Sequence, residues 1–155
     1  LFPALNFNTD ELSCAIGVSS LARLQDAING RMAFLRPLVK RLEKETKTCR
    51  PYNFHDGFSP FYFPIFVDTN RLSCSKIDFA KAIQAEGIAL NLHYGCVISG
   101  WDWAKQYLSD DFIASNAEKV KDNSFNLFIN EQYGKQEVED MLAAIKKVES
   151  HFLNV

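Results

Sequence analysis

The sequence predicts an α+β domain, a small and mainly antiparallel sheet packed with helices. Three observations lead there: apolar residues recur at helical spacing over the first third of the chain, segments in its middle alternate at the period of a strand, and an amphipathic helix closes it. A sheet's apolar face must be buried against something, and the helices before, between and after the strands are what this order supplies.

Leu12, Ile16, Leu24, Ile28, Leu35, Val39 and Leu42 fall on one face of a long helical run over residues 9–45. Asn8, with Glu11 three residues on, resembles a capping arrangement and sets the expected start near Asn8. Pro37 removes a backbone donor and crowds the preceding turn, so a bend or break is expected around residues 33–37.

Beyond the turn-forming stretch from Pro51 to Pro60, Phe61, Phe63, Ile65 and Val67 alternate with Tyr62, Pro64 and Phe66. This is a strand apolar on both faces, and Pro64, which cannot donate to a ladder, suggests an edge or a bulge. Ser75 and Asp78 begin a helix over about 76–86 with Ile77, Ala80 and Ile83 inward, and Gly87 can take the left-handed conformation that stops it. Ile88, Leu90 and Leu92 mark a second strand and Phe125 to Asn130 a third, with helix and irregular structure over 101–121. Val138, Met141, Leu142, Ile145, Val148 and Phe152 line the buried face of a last helix that begins just after Gly134.

A chain of 155 residues, 47% hydrophobic and with 13 phenylalanines, fits one domain with a proper core. The expectation is a single domain over 1–155, in which a helical segment over 6–46 leads into a small α/β part over 58–155. A formal net charge of −2 argues against a partner that is nucleic acid, because phosphate tracking needs clustered Lys and Arg. The densest basic stretch, Arg36 to Lys47, interleaves Glu43 and Glu45 and reads as a solvated helix face. Cys14, Cys49, Cys74 and Cys96 lie far apart, so reduced thiols in a cytoplasm are expected rather than a zinc site or a disulfide framework. No apolar stretch approaches the roughly 18 residues of a membrane span, and the N-terminus lacks the layout of a signal peptide. A soluble chain without a membrane partner is expected. The opening Leu1-Phe2-Pro3-Ala4-Leu5, without an initiator Met, reads as a cut from a longer polypeptide.

Taken alone, the residues announce no reaction. His55, His93 and His151 are scattered, no metal-ligand spacing or nucleophile elbow appears, and no glycine-rich phosphate loop is present. The informative stretch is Leu5-Asn6-Phe7-Asn8-Thr9-Asp10-Glu11-Leu12-Ser13-Cys14-Ala15-Ile16-Gly17. It resembles the segment of the DegT/StrS sugar aminotransferases that runs from an Asn-aromatic pair to an Ile-Gly, placing the pair on Asn6-Phe7. Further likenesses follow in the family's order: Leu21 to Leu24 and Arg31, the Ser59 to Val67 strand, Glu86-Gly87-Ile88, the His93-Tyr94 pair, and Leu127 to Met141. The sequence departs from the pattern at Leu5, where glycine is usual, at Asn8, where a cation is common, and at Gly95-Cys96, where two prolines often follow His-Tyr.

The resemblance implies the C-terminal domain of a fold-type I enzyme, a homodimer that holds pyridoxal 5'-phosphate on a lysine in a large domain absent from this chain. It implies transfer of an amino group from glutamate to a keto-sugar nucleotide, with the cofactor ring as electron sink. The residue matching Asn6 would reach the cofactor phosphate of the neighbouring subunit by its amide N–H; without the resemblance Asn6 reads as a turn residue. Asn8, His93 and Tyr94 are the candidate substrate-binding residues, against the plainer readings of Asn8 as a helix cap and His93 as a structural histidine. No residue of this chain is nominated as catalytic. Trp101 and Trp103 could stack on a sugar or base, or serve as packing anchors. Two other readings stay open: a sugar dehydratase of the same family, with histidine in place of the lysine, and a non-catalytic interaction domain.

Overall fold

The computed structural model describes residues 9–109 and 112–154. Its helices are α1 (Glu11–Ala22), α2 (Leu24–Glu45), α3 (Lys76–Ala85), α4 (Ser115–Asn123) and α5 (Lys135–Phe152). The strands β1 (Cys49–Pro51), β2 (Tyr62–Val67), β3 (Leu90–Asn91) and β4 (Ser124–Phe128) form one antiparallel sheet in the order β1-β2-β4-β3. The α+β class stands.

The long helical run divides in two, at a point other than the one the sequence suggests. Asp10, not Asn8, caps α1: its carboxylate accepts from the Ser13 backbone N–H at 2.8 Å and from the Ser13 hydroxyl at 2.7 Å. The break falls at Arg23, and α2 runs through Pro37 without interruption. A helix-interior proline costs about 3 kcal/mol, and the burial of Phe34, Leu35, Leu38, Val39 and Leu42 around it offsets that cost. The apolar stripe is not buried along its whole length either. Leu12 and Ile16 on α1 are 70% and 58% exposed, and burial begins only at Met32 of α2.

On the sheet, Phe63, Ile65 and Val67 of β2, Phe125 and Leu127 of β4 and Leu90 of β3 lie in the core with α2, α3 and α5. Pro64 sits on an interior strand, contrary to the edge or bulge expected. Its place is tolerable because β1 ends at Pro51, opposite Ile65, and beyond that end only the Pro64 carbonyl is asked for a bond, from Tyr52 N–H at 3.0 Å. β1 lies just ahead of the turn stretch, meeting it at Pro51, and was not expected, since three residues show no alternation to read. The second strand shrinks to Leu90–Asn91. The outward carbonyls of Leu90 and Leu92 accept from Gln84 Nε2 at 3.4 Å and Lys76 Nζ at 2.8 Å, so α3 covers this sheet edge.

α3 starts after Ser75 as its cap and ends before Gly87, whose φ of 95° is the left-handed turn foreseen. Phe79 is buried there in place of Ile77, which is only half-buried. α5 begins after Gly134, whose N–H donates to Glu137 Oε2 at 2.7 Å, and it buries Val138, Met141, Leu142, Ile145 and Val148. Short 3-10 turns occupy Ile98–Gly100 and Lys105–Tyr107 in the connection from β3 to α4.

Candidate functional site

The connection that leaves β3 carries most of the chain's candidate residues. Asn91 Oδ1 accepts from the His93 backbone N–H at 3.2 Å, turning the chain outward just beyond the strand. The exposed His93 side chain then lines a recess of about 340 Å³ with Ser75, Lys76, Lys121 and Asp122. Tyr94 follows with its ring stacked on Tyr62 at 6.3 Å, lining a second recess of about 330 Å³ with Cys96, Val97, Asn116 and Val120. Lys121 borders both recesses, so His93 and Tyr94 each share a recess with the same lysine.

The electrostatics of this corner are balanced. A hydrogen bond from Lys121 to Glu118 holds its ammonium above the ordinary lysine range. Burial pushes the Lys76 ammonium below that range, against the attraction of Asp122. Coulombic interaction with Cys96 first, and then a hydrogen bond to it, raise the Tyr94 phenol above its ordinary value, and its neutral hydroxyl can donate or accept.

Sequence reasoning missed Lys76 and Lys121. Each reads as an ordinary helix-surface lysine, and only the packing of α3 and α4 onto the sheet brings them to His93. Asn6 and Asn8 lie outside the described residues. His55 packs edge-on to Phe58 and His151 edge-on to Phe152, both away from this corner. Among the described residues no group of three or more His, Cys, Asp or Glu is placed to hold a metal ion, and no helix is long and apolar enough to cross a membrane.

The sequence matches the model of the DegT/DnrJ/EryC1/StrS aminotransferase family over residues 2–146. The chain belongs to this family. No curated protein matches it. Among solved structures, the DegT-type domain superposes on Helicobacter pylori PseC, an aminotransferase involved in the biosynthesis of pseudoaminic acid, with a TM-score of 0.76 at 20% identity, over 96% of this chain and 40% of that one. An aminotransferase from Psychrobacter cryohalolentis gives 0.76 at 14%, over 96% and 40%. The E. coli GDP-4-keto-6-deoxy-D-mannose-3-dehydratase with bound hydrated PLP gives 0.74 at 17%, over 94% and 37%. The fold is therefore the one these enzymes share, and the chain spans about two fifths of their length.

The described residues of the DegT-type domain do not by themselves make a site for pyridoxal phosphate. Lys76 is the one lysine buried among them, and its ammonium is bonded to the Leu92 carbonyl beside Asp122 and Lys121. A Schiff-base lysine needs a free amine facing the aldehyde and a cradle for the phosphate; Lys76 has neither arrangement around it.

Proposed function

We propose that the whole protein is a pyridoxal-phosphate-dependent aminotransferase that moves the amino group of glutamate onto a keto-sugar nucleotide, and that residues 1–155 form a wall of its pocket. The observation that carries this reading is the family match over residues 2–146, with His93 and Tyr94 set beside open recesses at the end of β3. In this reading His93 and Tyr94 hydrogen-bond sugar hydroxyls, and Asn8 meets the substrate as an uncharged donor. Asn6 reaches the cofactor phosphate of the neighbouring subunit in a homodimer. A dimer agrees with α1, a helix with one charged residue, Glu11, and none buried, which asks for a surface that the described residues do not provide. Four free cysteines agree with a cytoplasmic setting. A sugar dehydratase is the second reading, favoured by the E. coli dehydratase whose TM-score stands beside those of the aminotransferases.

The experiment is a coupled assay on the whole protein with pyridoxal phosphate, glutamate and a panel of nucleotide-linked 4-keto sugars. Stoichiometric 2-oxoglutarate and aminosugar are expected; loss of a sugar hydroxyl without net amination would establish the dehydratase, and neither product would defeat both readings. The 155-residue chain alone should develop no internal-aldimine absorbance. In the whole protein, Asn6→Ala should weaken cofactor retention more than folding, and unchanged retention would remove Asn6 from the site.

A further inference from the structure

The connection between β3 and α4 is fastened by its small residues and leaves its largest rings at the surface. Val97 and Ala104 are its anchors, 6% and 1% exposed. Trp101 and Trp103 lie between these anchors, each only half-buried, with ring centroids 5.3 Å apart and planes tilted by 36°. With Gly100 and Asp102 they line an open recess of about 570 Å³. Packing anchors would be buried, so these rings are not serving as the fasteners of the loop.

The platform is also fixed in advance. Gly100 N–H donates to Val97 O at 3.0 Å, Trp101 N–H to Ile98 O at 3.1 Å and Ala104 N–H to Trp101 O at 3.0 Å, while Gln106 Nε2 holds the Trp103 carbonyl at 3.2 Å. Lys105 Nζ bonds Asp102 Oδ1 at 2.7 Å and keeps that carboxyl below its usual range, so it stays an acceptor at neutral pH. A preformed aromatic surface loses little freedom when a ligand settles on it.

We propose that Trp101 and Trp103 are a stacking platform for the base of a nucleotide, with the Asp102 carboxylate accepting from an N–H on the base edge. The recess is lined by two indole rings, packed against each other, and one carboxylate side chain. That suits a flat heterocycle, which needs stacking and a single edge contact; a sugar, ringed by hydroxyls, needs several polar partners. Every base has a π-face and at least one edge N–H, so stacking and the carboxylate together accept any of them. A net charge of −2 speaks for one nucleotide rather than a strand. The proposal rests on the proposed function only in assigning this base to a nucleotide-sugar substrate.

The chain has two tryptophans and both are here, so emission excited at the red edge, where its five tyrosines do not absorb, reads this recess. Titration of the chain without pyridoxal phosphate by UDP and by GDP should change the emission saturably. Pyrophosphate and methyl glucoside, the phosphate and sugar arms, should not. Trp103→Ala should weaken nucleotide binding about tenfold or more, followed through the remaining Trp101. Trp103→Phe, which keeps a stacking face, should retain most of the affinity and guards against a folding defect. No saturable response to either nucleotide, or an equal response to methyl glucoside, would overturn the platform. Because no cofactor is present, base binding with failed transamination would count against the proposed function alone, and transamination without base binding against the platform alone.

Discussion

Glu149 Oε1 on α5 accepts from the Thr48 backbone N–H and hydroxyl, both at 2.6 Å, and from the Lys47 N–H at 2.8 Å. Glu149 is 6% exposed and Thr48 fully buried, so one carboxylate ties the C-terminal helix to the turn that joins α2 to β1. Thr48 in turn accepts at its carbonyl from Asp68 N–H at 2.8 Å, extending the tie to the end of β2.

Glu149→Ala should therefore leave buried donors without a partner and lower stability by about 2–4 kcal/mol. Glu149→Gln keeps an acceptor oxygen and should lose less. Urea unfolding of the three proteins checks this, and an alanine variant with the parent's midpoint would show that the tie holds nothing.

Two helical glycines should respond to alanine with opposite signs. A Cβ on Gly30 would stand 2.6 Å from the Glu131 carbonyl oxygen, in a loop already held by the Arg31 to Glu131 ion pair at 3.0 Å. Overpacking there should cost about 1–3 kcal/mol, more than the gain of roughly 1 kcal/mol in helix propensity. A Cβ on Gly17 meets nothing within 4 Å, so Gly17→Ala should only add helicity to α1. Circular dichroism and thermal melts of the pair decide it; a stabilised Gly30→Ala would contradict the close approach.

Glu45 gives an acid-sensitive contribution with a defined sign. Hydrogen bonds from Arg41 first, and then from Lys146, hold its carboxyl down at about 2 against an ordinary 4.5. The contribution is complete above pH 4.5 and is lost as pH falls toward 2. Melting temperatures of the parent and Glu45→Gln should differ at pH 6 and converge toward pH 2; a gap independent of pH would mean that the ion pairs are not its source.

The four thiols should differ in reactivity. Burial pushes the Cys49 thiol up to about 12, and its side chain is inaccessible, while Cys14 and Cys96 are exposed. At pH 8 a disulfide reagent should modify Cys14 and Cys96 in the folded chain and reach Cys49 only in denaturant. Labelling of Cys49 at the rate of Cys14, read by mass spectrometry of peptides, would place it outside the core.

Most elements were legible because their signal is local. The α5 stripe from Val138 to Val148, the Ser75 cap, the Gly87 stop and the alternation of β2 each lie within a few residues. What escaped needed distant partners. Pro37 reads as a helix breaker until the core around Phe34 and Leu38 is counted, and Pro64 as an edge until β1 is seen to stop short of it. Lys76 and Lys121 come to His93 through packing, and no spacing rule links positions 76, 93 and 121.

By itself the sequence determined the α+β class, the order of the helices and the longer strands, and the likeness to the sugar aminotransferases, since periodicity, capping chemistry and motif order are properties of neighbouring residues. The tertiary structure alone decided which half of the apolar stripe is buried, which strands hold the centre of the sheet, and that His93 and Tyr94 each share a recess with the same lysine. Those outcomes depend on surfaces meeting across long stretches of chain, where burial and hydrogen-bond satisfaction outweigh any local preference.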